Sequence, residues 1–233
     1  MKLPERLAAV AEFVPTGCVV ADIGTDHALA PIALIERGVC RRVIATEVRP
    51  GPLRAAAQAV ADSALADSIE LRLGNGLAPL AVGEAEVIIL AGMGGKTIID
   101  ILGAAPAVLE SAQRLILQPM TESAGLRLWL CDHAWRITGE KLVREGDRLY
   151  QIIEAQPGPA QEKDPFLIAL GPRLIEARDP LLPLYLGQLA TRYRTILTGL
   201  RSGNSGQTRE KARFLEKKLA RIEEILKCLG ATV

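Results

Sequence analysis

Aromatic residues are scarce in this chain, with three Phe, three Tyr and two Trp in 233 residues. The core must therefore be built from Leu, Ile, Val and Ala. No apolar run approaches the roughly 18 residues a membrane helix needs, so no membrane association is expected. Residues 1–13 mix charges with leucines at helical spacing. They lack the apolar stretch and small-residue cleavage site of a signal peptide, and the expected location is cytoplasmic. The cysteines Cys18, Cys40, Cys131 and Cys228 form no CxxC pair. That spacing suggests neither a zinc site nor a disulfide framework, and they read as buried free thiols. No metal is expected.

Net charge is only +1, but it is unevenly divided. Residues 191–233 hold six Arg and four Lys against four Glu, which leaves the rest of the chain at −5. A basic appendage on a mildly acidic domain suits an anionic macromolecule. A Lys- and Arg-rich solvated helix would show the same balance.

The chain opens with an amphipathic helix over Met1 to Phe13, with Leu3, Leu7 and Val10 on one face. Cys18 to Ile23 is the first strand, and Ala28 to Arg37 a helix that Gly38 ends. Arg42 to Glu47 is a second strand; Pro50-Gly51-Pro52 breaks the chain before an alanine-rich helix over Leu53 to Ala61. Ile69 to Leu73 alternates as a third strand. Glu86 to Leu90 is a fourth, apolar on both faces as a central parallel strand should be. A short helix runs over Lys96 to Leu102. Leu115 to Pro119 is a fifth strand, followed by a helix over Ser123 to Cys131. Trp135 to Val143 and Arg148 to Ala155 form a closing hairpin about Glu145-Gly146-Asp147. Alternation of this kind makes an α/β fold: a parallel sheet with helices on both faces and an antiparallel edge.

Residues 1–155 thus read as one domain, 156–165 as a Pro- and Gly-containing linker, and 166–233 as a second domain. In the second, Leu182, Leu186, Leu189, Tyr193, Ile196 and Leu200 form one stripe. Leu215, Leu219, Ile222, Leu226 and Leu229 form another. A flexible turn over Arg201 to Gly206 joins them. An antiparallel helical hairpin follows, and it favours a monomer over a dimer whose seam would use the same stripes.

Three polar loops follow the first three strands: Asp22-Ile23-Gly24-Thr25-Asp26, Glu47, and Gly74-Asn75-Gly76. On an open α/β sheet such loops lie side by side where ligands bind. Asp26 is placed to cap the helix that follows it. Glu47 comes 23 residues after Gly24, near the roughly 20-residue interval at which an acid meets a nucleotide ribose. The dinucleotide fingerprint G-x-G-x-x-G is absent, and two acids crowd the turn where a pyrophosphate would sit. S-adenosylmethionine fits better: it offers a ribose, an adenine and a cationic sulfonium, and no phosphate. Singly, each acid would serve as a cap or an exposed turn; three at successive strand ends favour a ligand site. Gly92-Met93-Gly94-Gly95 would face the transferred group, and Gln118-Pro119 would line the same cleft. His27 and His133 read as capping or packing residues, and Trp129 and Trp135 as core.

The runs Ala21 to Ala28, Thr46-Glu47-Val48 with Gly51-Pro52-Leu53, Arg72 to Leu77, Gly92 to Gly95, Leu115 to Pro119 and Leu126 to Leu130 occur in order. Together they resemble the bacterial tRNA (adenine-22, N1)-methyltransferase family, TrmK. The resemblance spans residues 1 to about 155; the C-terminal hairpin matches that family's coiled coil in pattern only. It implies a Rossmann-like class I methyltransferase sheet, S-adenosylmethionine as donor and an adenine N1 in tRNA as acceptor. Carried over, Asp22, Gly24, Asp26 and His27 line the methionine end of the cofactor. Glu47 holds the ribose, Asn75, Gly76 and Leu77 meet the adenine, and Met93, Gly94 and Gly95 border the acceptor. Asn75 stands where the family more often has Asp.

Adenine N1 is already a neutral nucleophile, so the chemistry is mostly positioning. A carboxylate, Asp22 or Asp26, would stabilise the growing cation or take a proton from the exocyclic amine. On the hairpin, Arg209, Lys211, Arg213, Lys217, Lys218 and Arg221 would contact tRNA phosphates. The alternatives are a methyltransferase of another RNA, a protein or a small molecule, and a non-catalytic RNA-binding protein with a relic pocket.

Overall fold

Seven strands make one sheet: β1 (Val19–Ile23), β2 (Arg42–Glu47), β3 (Ile69–Leu73), β4 (Val87–Gly94), β5 (Arg114–Thr121), β6 (Trp135–Glu145) and β7 (Arg148–Pro157). The computed structural model describes residues 3–200 and 206–230. The strand order is β3-β2-β1-β4-β5-β7-β6. The first five pair in parallel, while β7 runs antiparallel to both β5 and β6. The reversal of strand order between β1 and β4 creates a switch point, where ligands bind at the carboxyl ends of parallel strands.

Side-chain alternation along β1 splits the core in two. Val19, Ala21 and Ile23 point to one face, under α4 (Gly95–Gly103), α5 (Pro106–Ser111) and α6 (Ser123–Asp132). Val20 points to the other, under α1 (Glu5–Glu12), α2 (Leu29–Glu36) and α3 (Pro50–Asp62). Both clusters are almost wholly aliphatic, as the scarcity of aromatics requires. Trp135 is buried; Trp129 is only half-buried and stacks on His133 with ring centroids 4.0 Å apart.

Several boundaries differ from the sequence reading. The first helix begins only at Glu5, after Pro4. Pro50-Gly51-Pro52 does not break the chain but opens α3, because first-turn N–H groups have no intrahelical acceptor for proline to remove. Asp26 does not cap α2. The residue before that helix is Ala28, at φ 55°, with no side-chain cap. β4 runs on to Gly94 with shifts in register around Met93. Helix α5 was not foreseen. Of the four thiols, Cys18 and Cys40 are buried, Cys131 is half-buried and Cys228 is exposed.

A buried ion pair lies behind α6. The side chains of Arg127 and Glu140 are both fully buried, with Nε to Oε1 at 2.6 Å. Arg127 also donates to Gln151 Oε1 at 2.8 Å and to the carbonyl of Ala169 on α7 (Pro165–Leu170), and Glu140 Oε2 accepts from Arg173 N at 2.9 Å. These bonds fasten the segment around α7 to the sheet domain.

The chain divides into two compact units, Met1–Arg173 and Leu174–Val233, a division later than the 156–165 segment. In the second unit α9 (Leu182–Leu200) packs on α10 (Gly206–Cys228) as a helical hairpin, and Arg194 Nη2 meets Glu223 Oε1 at 2.7 Å. Leu182 and Leu186 are buried on α9, and Leu215, Ile222 and Leu226 on α10. Further along α9 the buried face drifts to Ala190 and Leu197, because a straight helix slips against a strict seven-residue repeat. The turn read over Arg201 to Gly206 lies, up to residue 205, outside the described residues.

Candidate active site

The alternation that divides the core also divides the site. At the end of β1, Asp22 points toward α1 and α2, and Ile23 toward α4. Two cavities result, and only Gly24, Val48 and Met93 line both. One, of about 460 Å³, lies under Asn75, Leu77 and Ile101 and is mostly apolar. The other, of about 420 Å³, is lined by Asp22, Asp26, His27 and Glu47.

Backbone bonds stitch the three loops together. Gly24 N and Thr25 N both donate to Thr46 O, at 2.8 and 3.0 Å. Gly74 N donates to Glu47 O at 3.0 Å, and Thr46 Oγ1 to Gly76 O at 3.3 Å. Gly24 sits at φ +74°, and a β-carbon there would stand 2.3 Å from Met93 Cε. The following residues are strained: Asp26 has φ 51° and Ala28 φ 55°. Two such non-glycine residues in one turn cost about 1–3 kcal/mol each and cluster at functional sites.

The acids differ in setting. Asp22 is buried, and burial pushes its carboxyl up to about 6, with the Thr25 hydroxyl partly offsetting the effect. Asp26 is 60% exposed, its Oδ2 3.6 Å from His27 Nε2. Glu47 is buried, and its Oε1 accepts from Arg49 N at 2.9 Å. An acidic, partly desolvated wall of this kind repels a pyrophosphate and accommodates a cation.

Asp22, Asp26, His27 and Glu47 thus gather on the acidic cavity, and Asn75, Gly76 and Leu77 on the apolar one, with Gly24 and Met93 between. The remaining sheet-domain residues read as substrate-facing are elsewhere. Gly94 is the N-cap residue of α4 and lines neither cavity. Gly95 is buried behind it, where a β-carbon would meet the carbonyls of Thr121 and Glu122 at 2.8 and 2.7 Å. Gln118 and Pro119 are both buried and also line neither cavity. The Gln118 side chain turns inward, its Oε1 accepting from Gly92 N at 3.0 Å. That bond holds the irregular end of β4 and so aims Met93.

The sequence reading missed Arg6 and Leu7 of α1 and Arg49 on the acidic side, and Thr97, Asp100 and Ile101 of α4 on the apolar side. The α4 residues carried a signal, since spacings of three and four on a helix opened by glycines share one face. Arg6 carried none; it lines the acidic cavity while its guanidinium bonds Glu145, on the distant hairpin, at 2.6 Å.

Among the described residues, no three His, Cys, Asp or Glu side chains gather as a metal site, and no helix is long and apolar enough to cross a membrane. The exposed cations of α10 are Arg209, Lys211, Arg213, Lys217 and Lys227, with Lys218 and Arg221 half-buried.

The doubly wound sheet with its cavities at this switch point is Rossmann-like, and the family model described as a methyltransferase domain matches residues 3–153, which makes the chain a Rossmann-like methyltransferase. The tRNA (adenine(22)-N(1))-methyltransferase of Bacillus subtilis is 38% identical over 68% of this chain and 66% of its own length. The chain thus spans just under two thirds of that relative. The crystal structure of the B. subtilis m1A22 tRNA methyltransferase TrmK superposes with a TM-score of 0.89 at 30% identity, covering 97% of this chain and 99% of that one. Streptococcus pneumoniae Sp1610, solved in complex with S-adenosyl-L-methionine, gives 0.86 at 33% identity, covering 97% of this chain and 100% of that one. The chain belongs to the bacterial tRNA (adenine-22, N1)-methyltransferase family, TrmK.

Proposed function

We infer that this protein transfers a methyl group from S-adenosylmethionine to N1 of an adenine in tRNA, with adenine 22 as the target. The observation that carries the reading is the pair of cavities meeting over Gly24, one apolar and one acidic. That shape and charge fit a nucleoside joined to a cationic amino acid. With no β-carbon at Gly24, the Met93 methyl occupies that place, and a ligand that spans both cavities moves it aside.

S-adenosylmethionine, when bound, supplies an activated methyl group. Asn75, Gly76 and Leu77 hold its adenine side, and Glu47 accepts from the ribose hydroxyls. Asp22 and His27 bound the methionine side, and Gly24 and Met93 border the middle. Asp26 is the better placed carboxylate for the incoming base, since it stands exposed at the rim whereas Asp22 is buried. It stabilises positive charge as adenine N1 is alkylated, or accepts a proton from the exocyclic amine. Gly94, Gly95, Gln118 and Pro119 support the acceptor side from behind the cavity wall.

The hairpin unit carries phosphate contacts through Arg209, Lys211, Arg213, Lys217, Lys218 and Arg221. The protein acts as a monomer in the cytoplasm; the packing of α9 on α10 within one chain, with Leu215, Ile222 and Leu226 buried, supports the first point. The test is incubation of the protein with unmodified tRNA and labelled S-adenosylmethionine, followed by digestion to nucleosides. Label in 1-methyladenosine is expected. Bound cofactor without that product defeats the reading.

A further inference from the structure

The hairpin unit carries one feature that phosphate contacts do not use. Phe214 stands on α10 with 57% of its surface exposed. Among the described residues it is the only large apolar side chain of that helix so exposed. A single exposed apolar residue is ordinary on a protein surface. The surroundings of this one are not. Lys211, Lys217, Lys218 and Arg221 lie three, three, four and seven residues away, which places them on the face of the helix that Phe214 occupies. Glu210 is the only acid on that face. The Lys218 ammonium sits 4.3 Å from the Phe214 ring centroid, a cation–π contact that holds the ring in place. The neighbouring Leu215 is buried against α9, so Phe214 points about 100° away from the hairpin seam.

We propose that Phe214 is a stacking platform for an unpaired tRNA base, set within the basic face of α10. This rests on the reading of the protein as a tRNA methyltransferase and names a contact that reading does not require. Cations grip the phosphates of any nucleic acid, whereas a ring between them rewards a base that is free to leave its helix. A tRNA offers such bases in its loops. The cations on either side fix the backbone, and the ring takes the base between them. The polar, charged setting disfavours an apolar protein partner on this face.

The test measures affinity of the full-length protein for an unmodified tRNA transcript at several salt concentrations. Phe214→Ala is expected to weaken binding about 5- to 150-fold with an unchanged salt slope, as loss of one base–aromatic stack does. Phe214→Tyr, which keeps the ring, is expected to restore it. Lys217→Ala is expected to lower the salt slope by about one instead. Phe214 is exposed, so its variants are expected to melt as the parent does. If the parent binds and methylates tRNA and Phe214→Ala binds equally well, this inference fails and the methyltransferase reading stands. A change in the solution size of Phe214→Ala would mark the ring as a protein contact and also overturn the inference. A parent chain that binds no tRNA brings down both.

Discussion

The Met93 methyl lies over the α-carbon of Gly24, 2.3 Å from where a β-carbon would be. The thioether is thus the partition between the apolar and acidic cavities. Gly24→Ala must displace Met93 and also strain a backbone at φ +74°. We expect at least a hundredfold loss of S-adenosylmethionine affinity by calorimetry, with a loss of folding stability of about 1 kcal/mol or slightly more. Unchanged affinity would show that the ligand does not pass over Gly24.

Asp22 links the site to pH. Burial raises its carboxyl from 3.8 to about 6, so the folded state binds more protons than the unfolded state between those values. Its contribution to stability therefore falls as pH rises through that window and stays low above it. Asp22→Asn is expected to stabilise the ligand-free protein at pH 7.5, by up to ~3 kcal/mol, as read by chemical unfolding. The same variant is expected to lose cofactor affinity, because a cationic ligand prefers the ionised carboxylate. In the parent, affinity should weaken as pH drops below about 6; a flat profile between pH 5 and 7 would contradict this.

Gln118 acts through the backbone. Gln118→Leu leaves Gly92 N without its side-chain acceptor; Gly92 is exposed, so water can replace it and the loss is that of one ordinary hydrogen bond, about 0.5–1.5 kcal/mol. Met93 loses its fixed bearing. A fall in kcat larger than any rise in the KM for the cofactor is expected, with steady-state kinetics as the measure. Equal effects on both parameters would assign Gln118 to ligand binding.

The side chains of Arg127 and Glu140 form a fully buried pair. Arg127→Met leaves the Glu140 carboxylate without the Arg127 counter-charge, with Arg173 N still donating to it, and is expected to cost about 3–5 kcal/mol. The double replacement Arg127→Met with Glu140→Leu should recover most of that loss in the same unfolding experiment. Additive losses in the two single variants would show the pair to be uncoupled.

The succession of strands and helices along the chain and the acidic turn were legible because they follow from local rules, whereas the order of strands across the sheet was not read from the sequence. Apolar runs ending in acids give strand ends, and a missing fingerprint excludes a pyrophosphate. What escaped depended on contacts between distant segments. Gln118 looked like a wall residue because a polar side chain at a strand end commonly faces a ligand. Only the irregular end of β4 shows that it turns inward to Gly92. Arg6, on the wall of the acidic cavity, bonds Glu145, 139 residues away. The capping role read for Asp26 failed because Thr25 O already receives Ala28 N at 3.0 Å, which delays the helix and leaves the carboxylate outside.

The partition at Met93 also sets how this site can be blocked. Each compartment, at about 460 and 420 Å³, has room for a small fragment of its own: a flat heterocycle beside Asn75, a compact ammonium beside Asp22. A linker narrow enough to cross above Gly24 would make the second fragment's binding intramolecular, at an effective concentration in the millimolar range or higher. Such a ligand would be selected by the narrowness of the crossing as much as by either end.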